Sequence, residues 1–127
     1  MKKSIFITFC LVLFAFVGKS QNVEVLYFKA NLSCCQARAC GALENQVKEI
    51  IEAKYKNDKV IFKAVRLNDP DSEDLINKYN AKSQTVIVKS IKKDKDFNAT
   101  ELVKTFSRTK DQESFEKELF EQINKLL

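Results

Sequence analysis

The sequence predicts a small α/β domain built on one mixed four-stranded sheet. Three observations carry that prediction. Short β-rich runs lie between turn signals, two long stretches keep apolar residues at helical spacing, and the order opens with a strand-helix-strand unit. With two glycines and one proline in 127 residues, the chain does not have the makeup of a loop-rich fold.

The first 20 residues read apart from the domain. Lys2 and Lys3 form a basic start, and Ile5 to Val17 is apolar except for Thr8. Gly18-Lys19-Ser20 then supplies small residues where a signal peptidase cuts, placing cleavage before Gln21. The run of about 13 residues falls short of the roughly 20 needed to cross a bilayer. Cys10 follows Phe9, where a lipid-attachment signal needs a small residue. Residues 1–20 are therefore expected to be a cleaved signal peptide. Residues 21–127 are expected to form one periplasmic or secreted domain, with no stable membrane span left after cleavage. Loss of Lys2, Lys3 and Lys19 lowers the formal net charge from +5 to +2, and the remaining charges are mixed. That balance argues against a nucleic-acid partner.

Within the domain, Val23, Val25 and Tyr27 alternate with Glu24 and Leu26 before Phe28, a first strand over about 23–29 buried on both faces. Residues 30–39 lack clear periodicity. From Gly41 the pattern turns helical, with Leu43, Val47, Ile50, Ile51 and Tyr55 forming one stripe to about Lys56. Val60 to Leu67 is a second strand. Asn68-Asp69-Pro70-Asp71-Ser72 ends it and starts a short helix carrying Leu75, Ile76 and Tyr79, with Asp71 or Ser72 as cap. Thr85 to Val88 is a third strand. A charged turn over 92–96 calls for a hairpin partner within 97–106, although Ala99 to Phe106 also fits a helix. Phe115, Leu119, Phe120, Ile123, Leu126 and Leu127 mark a closing helix. The order is β-α-β-α-β-β-α. A parallel crossover, a second helix, a hairpin and a last helix describe a three-layer sandwich, for which the thioredoxin-like fold is the commonest solution.

The chemistry-bearing residues gather between the first strand and the first helix, where Cys34, Cys35 and Cys40 lie. The positive end of a helix dipole and its unpaired N–H groups favour thiolate, the form that attacks disulfides and binds soft metals. Arg38, between the thiols, would add to that bias. On a continuous helix Cys35 and Cys40 would stand about 140° apart. A bond from either Cys35 or Cys34 to Cys40 therefore needs residues 35–39 to be loop or distorted turn, the first pairing being slightly preferred. A bond between Cys34 and Cys35 would be strained. Either long pairing leaves an odd thiol, unusual for a purely structural staple.

Three functions remain open on these residues. One is thiol–disulfide redox chemistry with a periplasmic redox partner or thiol substrate. The second is non-catalytic binding of a soft metal or arsenical by the thiolates of Cys34, Cys35 and Cys40. The third is a structural or interaction domain stapled by a disulfide. The lack of any histidine removes Cys-His hydrolase chemistry and mixed Cys/His zinc sites. No flavin, nicotinamide or phosphate-binding fingerprint occurs, so no cofactor is expected.

Val25-Leu26-Tyr27-Phe28, the cysteines and Leu43 to Ile51 together resemble the thioredoxin superfamily. More narrowly, with Val60 to Val65 and Lys78 to Thr85, the chain looks like a family of small exported Bacteroidetes proteins. These are labelled nitrophenyl-compound nitroreductase subunits and named from arsenic-resistance clusters. The resemblance implies a dithiol at the head of the first helix and a cis-proline loop facing it. Two departures stand out. Ala37, not cysteine, precedes Cys40 at the Cys-x-x-Cys spacing, and Ser83-Gln84-Thr85 stands where the proline is expected. Gln84 or Thr85 thus replaces a residue that shapes the substrate groove and shields the thiols from metals. Any nitroreductase activity would need a partner to bring the flavin. Mass analysis of protein recovered from the cell envelope should find Gln21 as the first residue; a chain that still starts at Met1 would refute the export reading.

Overall fold

A computed structural model describes residues 22–30, 34–56 and 59–127, with side chains over 34–40 described only at Arg38. The signal segment expected at 1–20 lies outside the described residues. β1 (Val23–Lys29) is an inner strand. It runs parallel to β2 (Val60–Arg66), with Val25 opposite Phe62, and antiparallel to β3 (Val86–Ser90), with Val25 opposite Val88. β4 (Asp96–Asn98) extends β3 antiparallel, giving the order β2-β1-β3-β4. The helices are α1 (Cys34–Lys54), α2 (Glu73–Tyr79), α3 (Thr100–Thr109) and α4 (Gln112–Leu126). The fold is a thioredoxin-like α/β sandwich with one mixed four-stranded sheet.

Alternation along β1 builds two cores. Val23, Val25 and Tyr27 face α1, α3 and α4, joining Leu43, Val47, Ile51, Val103, Phe115 and Ile123. Leu26 and Phe28 face the other way, with Val65 and Ile87, under Leu75, Ile76 and Tyr79 of α2. Helices therefore cover both faces, and residues 25–28 of β1 are all buried, as a near-continuous apolar run predicts. The stacked rings of Phe106 and Phe115, 4.5 Å apart, join α3 to α4.

Most boundaries fall where the sequence puts them, with two informative differences. α1 begins at Cys34 rather than near Gly41. Gln36, Ala37, Arg38 and Ala39 are good helix formers and no proline or glycine interrupts them, but small residues give no amphipathic contrast. The hairpin partner is a three-residue strand, and α3 takes up most of 99–106, the helical option for that stretch. Capping also differs slightly. Asp69 accepts from the Asp71 N–H at 3.0 Å and holds a 3-10 turn (Pro70–Ser72), while Ser72 precedes α2 without a side-chain cap bond.

Tyr79 closes α2 against Phe28, and its buried hydroxyl makes no hydrogen bond of normal length. Burial first, then the nearby Asp96 carboxylate, pushes the phenol above its usual 10.0. A raised folded value means that this contribution to stability is whole below pH 10 and is lost as pH climbs through the folded pKa. Tyr79→Phe removes the titrating hydroxyl and should change stability at neutral pH by no more than about 1 kcal/mol. It should also flatten the alkaline fall in stability, as measured by urea denaturation at several pH values.

Candidate functional site at the head of α1

β1 ends at Lys29, and within a few residues the chain enters α1 at Cys34. The C-terminal ends of the parallel strands β1 and β2 open on the same edge, the edge at which open α/β sheets bind ligands. Three features described there can be built from their residues.

The first is the turn over residues 82–85. Gln84 has φ 67°, left-handed backbone that a side chain adopts only at some cost. The turn is closed by the Thr85 N–H donating to the Lys82 carbonyl at 3.0 Å, and the Lys82 N–H donates to Thr85 Oγ1 at 2.9 Å. It is also tied to β1: the Gln84 N–H donates to the Phe28 carbonyl at 2.8 Å, and the Phe28 N–H donates to the Thr85 carbonyl at 2.9 Å. Gln84 and Thr85 therefore sit beside the C-terminal end of β1. Left-handed backbone at Gln84 and the Thr85 hydroxyl organise this loop, and among the described residues no peptide bond is cis.

The second is an ion pair. Lys29 Nζ lies 3.1 Å from Glu44 Oε1 and 3.4 Å from Glu44 Oε2. The Glu44 side chain is only 13% exposed and that of Lys29 35%. The pair pins α1, three residues after Gly41, to the end of β1. The sequence reading missed it, although the signal was there: Lys29 continues the parity of Val23, Val25 and Tyr27, and Glu44 flanks the stripe of Leu43 and Val47.

The third is α1 itself. Its regular helix from Cys34 to Lys54 leaves no loop at 35–39, the condition set for closing a disulfide to Cys40. Helical Cα atoms five and six residues apart are about 8.6 and 10 Å apart, beyond the roughly 6.8 Å reach of a disulfide. Cys40 is one turn ahead of Glu44 and two ahead of buried Val47. Cys34 is one turn ahead of Arg38, which is exposed to solvent. The cysteine side chains lie outside the described residues. Among the described residues no cluster of three His, Cys, Asp or Glu suits a metal ion, and no helix is long and apolar enough to cross a membrane.

No family model and no curated protein matches the chain. A solved structure described as that of a malarial protein is 24% identical over 69% of this chain and 97% of its own, with a TM-score of 0.41, too distant to carry an argument.

Lys29→Met would leave the largely buried Glu44 carboxylate without its partner and should cost about 1–3 kcal/mol. Adding Glu44→Leu should recover most of that loss. Denaturant unfolding of both single variants and the double measures the coupling; purely additive losses would refute the pinning role.

Proposed function

We propose that this chain is an exported thiol–disulfide redox protein, working in the periplasm or outside the cell. In this reading it belongs with the small thioredoxin-like proteins that its sequence resembles. The observation that carries the proposal is the position of the cysteine segment. It forms the first turns of a 21-residue helix that follows β1, at the edge where open α/β sheets commonly bind ligands. Four N–H groups at a helix start lack helical partners, and they lower the cost of thiolate there.

The chemistry runs in two exchanges. The thiolate of Cys35, or of Cys34, attacks one sulfur of a partner disulfide, forming a mixed disulfide and releasing the first partner thiolate. Cys40, deprotonated, then attacks the mixed disulfide at the protein's own sulfur. An internal disulfide forms, the second partner thiolate leaves, and two electrons have passed from the protein to the partner. The protons lost by the two protein thiols end on the two released partner thiols. The second exchange requires the first turns of α1 to open, because a regular helix holds the paired positions too far apart. Gly41, immediately after Cys40, is a helix residue of low propensity that favours opening at this point.

Oxidation should therefore melt about one and a half turns of helix while it consumes two thiols. Equilibration in glutathione buffers, with thiols counted by mass and helicity followed by circular dichroism, tests both at once. Gly41→Ala, with open space within 4 Å of its added carbon among the described atoms, should stabilise the reduced form by about 0.5–1 kcal/mol. It should raise the reduction potential by about 10–20 mV. A thiol count unchanged at every buffer potential would end the redox proposal, and a disulfide formed without loss of helix would end the opening step.

A further inference from the structure

A groove of about 590 Å³ lies between β4, α3 and α4, and no described residue of α1 lines it. Phe97 and Leu102, both half-buried, form its apolar wall above the stacked Phe106 and Phe115. Its charged residues are Glu101, Asp111 and Glu118, and among the described residues no lysine or arginine lines it. In a domain whose formal net charge is +2 once residues 1–20 are removed, that is a local reversal of sign. Asp111 is partly committed to α4, accepting from the Ser114 N–H and hydroxyl, and Glu101 pairs loosely with Lys104 at 3.4 Å on the surface. Glu118 is exposed and makes no ion pair among the described residues.

β4 supplies a second, independent feature. The Ser90 N–H donates to the Lys95 carbonyl and the Ala99 N–H to the Val86 carbonyl, so the intervening Phe97 turns its backbone groups toward Val88. By the alternation of an antiparallel ladder, the N–H and C=O groups of Asp96 and Asn98 face outward from the sheet edge. An extended segment laid along that edge would form backbone hydrogen bonds and drop alternate side chains toward the groove.

From the acidic rim, the apolar wall and the open edge together, we propose that this groove docks an extended peptide segment of a partner protein, with an apolar side chain flanked by lysine or arginine. The apolar side chain rests on Phe97 and Leu102, and the flanking cations face Glu101 and Glu118. Asp111 adds negative potential without leaving its cap. Docking here involves no cysteine and stands whether or not the redox proposal holds.

The test uses the full chain and two fluorescent octapeptides of alternating valine and threonine around a central leucine, one with flanking lysines and one with flanking glutamates. Fluorescence anisotropy at low salt should show the lysine peptide binding at least about tenfold more tightly. The preference should shrink as salt is raised. Glu101→Lys with Glu118→Lys should reverse it, and Glu118→Gln alone should weaken it several-fold, with circular dichroism showing each variant folded. Equal binding of the two peptides, binding of neither near 1 mM, or a preference that survives the charge reversal would overturn the proposal. Self-association of the unliganded chain, abolished by the same substitutions, would also overturn it by giving the groove to a second copy.

Discussion

Everything in this molecule hangs on the register of β1 between its two neighbours. It is paired along all seven residues with β2 and along five with β3, and its side chains supply the inner wall of both cores. A slip of one residue would exchange the sets Val23, Val25, Tyr27 and Leu26, Phe28 between faces that hold different helices. Three helices cover one face and one short helix the other, so the two sets are not interchangeable. The same register fixes the edge at the head of α1. It aims Lys29 at the α1 face, where Glu44 meets it, and presents both backbone groups of Phe28 to the turn that contains Gln84 and Thr85.

The parts of the fold that were legible in the sequence are those where burial and periodicity coincide. β1 reads correctly because its central residues 25–28 are apolar and buried on both faces. α4 reads correctly because Phe115, Leu119, Ile123 and Leu126 are all buried at helical spacing while polar residues fill the rest. The start of α1 was not legible for the opposite reason. Cysteine and alanine carry too little contrast to mark a face, so helix propensity acted there without leaving a pattern. The segment around Ala99 was ambiguous because its buried positions, Ala99, Val103 and Phe106, are compatible with a helix while its start is a strand ladder.

The candidate residues can be nominated from the sequence, but their geometry cannot. Cys34, Cys35, Cys40, Gln84 and Thr85 can be picked out by residue type and order. What each does depends on backbone that one sequence does not declare. Gln84 in left-handed conformation is an uncommon choice, since glycine or asparagine usually serves there. Its conformation is sustained by the hydrogen bonds that clamp the turn to Phe28 and to Lys82. The Lys29–Glu44 pair is similar: each residue looks like ordinary surface charge until the strand end and the helix are brought together.

A helix that runs through the cysteine segment turns the proposed chemistry into a competition between two kinds of order. Closing a disulfide to Cys40 gives up the helical hydrogen bonds of the turns it opens, and keeping those bonds leaves the thiols to act one at a time. The opening is affordable only where little tertiary packing is lost with it. Here the described core contacts of α1 begin at Leu43, and Glu44 anchors the helix at about the same level. The anchor sits beyond Cys40, at the level where the described core contacts of α1 begin. In a thiol pair built this way, the reduction potential would carry the free energy of those turns, and substitutions that touch no sulfur would tune it through helix propensity alone.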